Sequence, residues 1–247
     1  MRLPRAIDAA VPPVLLAIDT ATDTCSVALA CGDRVRERAE AVGQKHSERI
    51  LPMVEALLRE AEMPLRGCAA IAFGSGPGAF TGLRIACGIA QGLAFGAGLP
   101  VVAVGNLEAL ALAASARTPA ARRILAAIDA RMQEAYWAVY AIDGAGLEEV
   151  SAPALASAAE LAEICRRHGP DLVAGNALQS FPEVAAALAC ALAPDARASA
   201  ATIATLAALK FAAGGAVPAE RAAPVYVRDR VALTVDERRA LAAGRQA

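Results

Sequence analysis

The chain has 247 residues, of which 57% are hydrophobic and 20% charged, with a formal net charge of −1. That length fits one large domain or two small ones, and the apolar content excludes a disordered chain. The near-zero charge gives no global basic field for nucleic acid, so any RNA in its function is gripped by another subunit.

Residues 1–13 contain prolines and no long apolar core, so they read as a loose extension rather than a secretory signal. Val14–Asp19 is a continuous apolar run ending in an acid, the pattern of a central strand. Thr20–Thr24 is a polar hairpin, Cys25–Ala30 the return strand, and Arg34–Ala41 a more exposed third strand. His46–Glu62 reads as a helix, with Ile50, Val54, Leu57, Leu58 and Ala61 on one stripe. Pro52 either marks its first turn or kinks it.

Ala69–Phe73 is a short buried strand, followed by Gly74-Ser-Gly-Pro-Gly-Ala-Phe-Thr-Gly-Leu-Arg84. Glycines at alternate positions allow a tight turn into a helix from Gly82 to about Ala97, with Thr81 as N-cap. Amides at such a start favour an anion. Arg84 in the first turn opposes the helix dipole and needs either a carboxylate partner or a bound anion. No charge occurs between Arg84 and Glu108, and Gly88, Gly92 and Gly96 share one face beside Ile85, Ile89 and Leu93. A glycine stripe in an uncharged helix predicts a closely packed neighbour, either a second helix or a second protein. Gln91, the glycines and Pro100 argue against a membrane span.

Val101–Val104 is the next strand and Asn106–Ala116 the next helix. The pattern then restarts. Arg123–Asp129 is a strand ending in an acid, residues 130–133 a turn, and Glu134–Tyr140 a return strand. Ala17-Ile-Asp19 matches Ala127-Ile-Asp129, and Ala28 matches Ala138, at one common offset, which predicts an internal duplication. A strand near 147–150, a helix over Ser157–His168, a strand at Asp171–Gly175 and helices at 182–192 and 202–213 complete the second half. Pro224–Val231 reads as an ordered but separate tail, and the residues beyond Asp236 as a charged end.

The six cysteines form no Cys-x-x-Cys pair and lie in apolar or strand-like runs, so they read as buried hydrophobes of a reducing cytoplasm. Tyr136, Trp137 and Tyr140 are either a stacking surface for bases or core packing, and strand alternation favours packing. G-x-S-x-G and H-E-x-x-H are absent.

Leu-Ala-Ile-Asp-Thr at 16–20, His-Ser-Glu-Arg at 46–49, Gly-Pro-Gly-Ala-Phe-Thr-Gly-Leu-Arg at 76–84, Ala-Gln-Gly-Leu-Ala at 90–94, Asp-Ala-Arg-Met at 129–132 and Pro-Val-Tyr-Val-Arg at 224–228 together resemble the TsaB (YeaZ) family. The resemblance implies an α/β fold of the actin/Hsp70/sugar-kinase (ASKHA) type, a duplicated βββαβαβα with a degenerate second lobe. It places the first lobe at 14–106 and the second lobe with its tail at 107–231, between the extension at 1–13 and a charged end at 232–247. It implies a non-catalytic subunit that supports formation of N6-threonylcarbamoyladenosine beside the tRNA anticodon. The implied partners are the catalytic relative TsaD and the ATPase TsaE, with tRNA reached through the complex.

The catalytic relatives carry two histidines at i and i+4 as metal ligands, whereas here His46 is followed at i+4 by Ile50. No metal site or required cofactor is therefore expected, and ATP and magnesium belong to the complex. The expected partner surface is Ile50, Met53, Val54, Leu57, Ile89, Gly92, Leu93 and Gly96. Through the same patch the isolated chain is expected to form a homodimer. Asp19, Thr20, Gly76, Gly78, Thr81, Arg84 and Asp129 mark a vestigial nucleotide or anion site. Asp19 and Asp129 either face each other across a cleft or cap strand ends. The rival expectation is an ATP-dependent phosphotransferase or nucleotidase of the same fold. It is weakened because the second hairpin lacks the hydroxyls of the first.

Overall fold

The computed structural model describes residues 12–143 and 146–228. Most of the expected extension, the last residues of the expected tail (229–231) and the charged end lie outside these.

The first lobe opens with the strands β1 (Val14–Asp19), β2 (Thr24–Cys31) and β3 (Arg34–Ala41), joined as antiparallel neighbours. Helix α1 (His46–Glu60) leads to β4 (Ala70–Gly76), and helix α2 (Phe80–Ala97) to β5 (Val101–Gly105). β4 lies parallel to both β1 and β5, giving the sheet order β3-β2-β1-β4-β5. Helix α3 (Asn106–Arg117) crosses to the second lobe. There β6 (Arg123–Arg131), β7 (Glu134–Asp143) and β8 (Gly146–Ser157) repeat the antiparallel trio. Helix α4 (Ala158–His168), β9 (Leu172–Ala174), the short helices α5 (Ala177–Ser180) and α6 (Pro182–Ala187), β10 (Ala191–Ala193) and α7 (Ala200–Ala212) complete it.

The second sheet runs β10-β9-β6-β7-β8, the first order read from the other end. β6 stands where β1 does: antiparallel to its hairpin partner and parallel to the strand after the next helix. This is the duplicated ASKHA topology. Ala17 pairs with Ala28 facing the central layer, and Ala126 pairs with Ala138 facing the same layer from the second sheet, so Ala138 takes Ala28's place. Ala127, matched to Ala17 in sequence, instead pairs with Trp137 on the outer face, so Ala126 stands in Ala17's place.

The layers follow from alternation along buried strands. Leu16, Ile18, Val27, Ile71 and Phe73 point toward α1 and α2 and pack on Ile50, Met53, Leu57, Ala86 and Ala90. Leu15, Ala17, Ala28, Ala70 and Ala72 point the other way, onto Ile203, Ala204 and Ala207 of α7. The small side chains on that face let a helix approach closely. α3 sits in the same central layer and covers the second sheet with Leu107, Leu110 and Ala111 against Ile124, Ala126 and Tyr140. The outer face of that sheet packs on Leu161, Phe181 and Val184.

Several expectations are corrected. α7 follows the second lobe in sequence but covers the first sheet, so a cut at 106/107 severs a packed core. The expected helix at 182–192 ends at Ala187, and Ala191–Ala193 becomes a strand because β9 offers it a parallel edge. The strand near 147–150 extends through Gly146–Ser157. α1 runs on through Pro52, which lies in its interior with an exposed side chain. The 224–228 segment is not separate: it lies across both lobes, as described next.

Candidate functional site

β1 ends in Asp19, whose side chain is 1% exposed. Its Oδ1 accepts the Asn106 Nδ2–H at 2.9 Å and the Ala21 amide at 3.3 Å, while Oδ2 is buried with no partner among the described residues. Burial pushes the carboxyl up to about 6, against the opposing hydrogen bond from Asn106. Asn106 also accepts the Gly76 amide at 2.7 Å, tying β1, β4 and α3 into one buried network. A side chain at Gly74 would lie 2.5 Å from Asp19 Oδ1 and 3.0 Å from Ile203 Cδ1. Asp19 is thus sealed beneath the sheet ends and does not line the cleft.

The glycine loop serves close packing of the first hairpin on α2. β4 extends through Gly74 and Gly76, because Gly74 pairs with Val104 and Gly76 with Gly105. A Cβ on Gly82 would collide with the Thr20 carbonyl, and one on Gly78 would lie 2.9 Å from Ala21 Cβ. Thr20 Oγ1 donates to the Gly82 carbonyl at 2.7 Å. The glycines let the first hairpin lie directly on the start of α2. Thr81 is not the N-cap: α2 begins at Phe80 with Ala79 as cap, and the Ala79 amide donates to the Ala21 carbonyl. His46 packs in the same way, with Nε2 2.8 Å from the Thr22 carbonyl.

Among the described residues Arg84 meets no carboxylate. Its guanidinium lies 3.8 Å from the Phe80 ring centroid, and its Nε donates to the Tyr226 hydroxyl at 2.9 Å. Tyr226 itself stacks on Phe80 at 5.5 Å. Cation–aromatic contact offsets the unfavourable position of Arg84 at the helix start.

Across from this, the second hairpin turns at Met132–Gln133. Arg131, Met132 and Gln133 all have positive φ (63°, 55° and 63°). Two-residue hairpin turns of this hand normally use Asn-Gly. Asp129 is partly buried: its Oδ1 accepts the Arg131 amide, and its own amide donates to Asn176 Oδ1 at 2.9 Å. It therefore caps its own turn. Between the hairpins lies a cleft of about 620 Å³, lined by Thr22, Asp23, Asp129, Arg131, Tyr136 and the 225–228 segment. Trp137 and Tyr140 are buried in the cores on opposite faces of β7, and only Tyr136 of the three aromatics reaches the cleft.

The outer face of α2 is open. Among the described residues, a Cβ added at Gly88, Gly92 or Gly96 would meet nothing within 4 Å. Phe95 is 70% exposed, and Ile89 and Leu93 are half-buried against the core. Of the expected contact residues, Ile50, Met53, Val54 and Leu57 are at most 2% exposed and pack within the chain's own core. The stripe on α1 faces its sheet, which removes these four from any outer surface. Among the described residues α2 is the one helix long and apolar enough to cross a membrane, yet Leu83, Ala86, Ala90 and Ala94 are core residues. Burial also pushes the thiols of Cys25, Cys68 and Cys165 up to about 11, far from a reactive thiolate.

Sequence reasoning missed Asn106, Phe80 and the role of Tyr226. One signal for the first was present: Gly105-Asn106 and Gly175-Asn176 each place an Asn after a strand, and each Asn bonds the Asp-bearing strand end of its own lobe.

The tRNA threonylcarbamoyladenosine biosynthesis protein TsaB of Escherichia coli is 41% identical over 224 residues, covering 88% of this chain and 96% of that protein. The chain belongs to the TsaB family. The Haemophilus influenzae TsaB is 49% identical over 123 residues, about half of each chain. A family model described as TsaD, tRNA N6-adenosine threonylcarbamoyltransferase, matches residues 38–233. Two Pseudomonas aeruginosa structures share the fold along 87% of this chain. One, described as an uncharacterized protein with similarity to peptidase YEAZ, has a TM-score of 0.80 at 40% identity. The other, YeaZ, has a TM-score of 0.75 at 37% identity.

Proposed function

We propose that this chain is a non-catalytic subunit in the threonylcarbamoylation of adenosine beside the tRNA anticodon, and that it binds a TsaD-type catalytic subunit through the outer face of α2. Membership of the TsaB family supports the pathway. The observation that carries the docking role is the open stripe Gly88–Gly92–Gly96. Interior helical glycines cost about 1 kcal/mol each relative to alanine. Among the described residues nothing packs on these three to offset that cost. A second helix laid against them would. Ile89, Gly92, Leu93 and Gly96 are the contact residues of this reading.

The hairpins support a role without chemistry. Asp19 is sealed away from the cleft, and Asp129 is engaged by its own turn. His46 is held by the Thr22 carbonyl. In this reading the ATPase TsaE, ATP and magnesium act at the level of a cytoplasmic complex, which also holds the tRNA. When the catalytic partner is absent, two copies of the chain pair through the same α2 face.

The test is co-purification with TsaD and an assay of the modified nucleoside with each subunit omitted. Gly92→Leu is expected to abolish pairing while the monomer stays folded; normal pairing by this variant would remove the docking face. The interlobe cleft favours a rival, an ATP-dependent phosphotransferase. Calorimetric titration with Mg-ATP separates the two, because tight binding and turnover by the isolated chain belong to the rival alone.

A further inference from the structure

We propose that residues 224–228 form a latch that bridges the interlobe cleft and couples the start of α2 to the second hairpin. The chain reaches the segment along the first lobe: Val217 bridges to the β5 edge through a reciprocal pair of backbone bonds with Val101 at 2.8 and 2.9 Å, and Ala219 and Ala222 pack on that lobe's core. The segment then crosses the end of β4, where the Val225 amide donates to the Ser75 carbonyl at 2.7 Å. Gly76 adopts φ +122° there, and a Cβ on it would lie 2.5 Å from the Val225 carbonyl oxygen. The β4 exit is therefore shaped around the segment.

The next residue, Tyr226, grips the first turn of α2 through the Phe80 ring and the Arg84 guanidinium. Two residues on, Arg228 grips the opposite lobe. Its Nη2 donates to the Ala130 carbonyl at 3.1 Å and to Glu134 Oε2 at 2.6 Å, and its Nη1 lies 2.9 Å from the Met132 sulfur. Its side chain is only 12% exposed. These three partners bracket the turn in which Arg131, Met132 and Gln133 hold left-handed backbone without a glycine. Such a turn persists when surrounding contacts over-determine it, and Arg228 is one of the groups that does so.

Both grips sit on one short extended stretch, so neither end can leave without slackening the other. The inference rests on this geometry and is independent of the proposed role in tRNA modification.

Hydrogen exchange on the full chain, read by mass spectrometry, tests it. Arg228→Ala releases the hairpin end, and Tyr226→Ala releases the α2 end. Each is expected to act across the cleft by about tenfold, Arg228→Ala speeding exchange at 80–84 and Tyr226→Ala speeding it at 130–135. Exchange in β1 and β4 should stay at the wild-type rate. Glu134→Gln breaks the ion pair from the hairpin side and should reproduce the Arg228→Ala pattern, which covers the case in which Arg228→Ala does not fold. Acceleration confined to the mutated end, or none at either end, overturns the latch.

Discussion

Asp19→Asn should change how stability depends on pH. The folded carboxyl titrates at about 6 against an ordinary value of 3.8, so the unfolded chain releases its proton first as pH rises. The stabilising term is fully present below about pH 3.8 and is lost as pH rises through 6. The gap corresponds to about 3 kcal/mol at 1.36 kcal/mol per pH unit. Asparagine cannot ionise and lacks this term. It keeps an oxygen for Asn106 and Ala21 but places an amide at the orphaned Oδ2 position, which costs about 1–3 kcal/mol at every pH. The variant should therefore be the less stable protein near pH 4 and gain on wild type by up to about 3 kcal/mol between pH 4 and pH 8. Urea unfolding of both proteins across that range measures the difference, and other titrating groups cancel in it. A difference that stays flat with pH would refute the sealed, partner-poor carboxylate.

The remaining predictions test packing. Gly82→Ala should cost more than about 2 kcal/mol by thermal or urea unfolding, since its methyl meets the Thr20 backbone. Gly88→Ala and Gly92→Ala should do the opposite, each raising stability by up to about 1 kcal/mol, because both positions are helical and open. Destabilisation by either alanine would show that the outer face of α2 is not open in the monomer. Ile203→Ala should cost about 2–5 kcal/mol and lower the single unfolding transition of the whole chain, because this α7 residue fills the first sheet's inner face. A loss confined to the second lobe would contradict the packing of α7 on the first sheet.

What the sequence revealed depended on how local each signal was. β1 and its hairpin were legible because an unbroken apolar run ending in Asp19 allows few alternatives. The α1 stripe was legible as a helix, but its direction was not. Periodicity says which residues share a face and not what lies opposite, so Ile50 and Leu57 were assigned outward and are fully buried. α2 was placed closely, yet its first residue was missed because its capping partner is the Ala21 carbonyl, far away in sequence. The alanine-rich run before Ala193 favours helix by composition until β9 supplies a strand edge. Phe80 lies one turn from Arg84, but the hydrogen-bond partners Tyr226 of Arg84 and Glu134 of Arg228 lie 142 and 94 residues away, beyond any local pattern. The duplication was legible in the repeated order of elements and in Ala28 and Ala138, although of the matched Ala17 and Ala127 the first faces the central layer and the second the outer one.

The position of α7 bears on how the chain is made. Until Ala200, Ile203, Ala204 and Ala207 have left the ribosome, most of the alanine-lined side of the first sheet lacks its covering helix, since α3 reaches it only through Ala109 and Leu112. The N-terminal half is built first but finishes last, and a nascent chain stopped near residue 190 would display that greasy face to chaperones or to its neighbours.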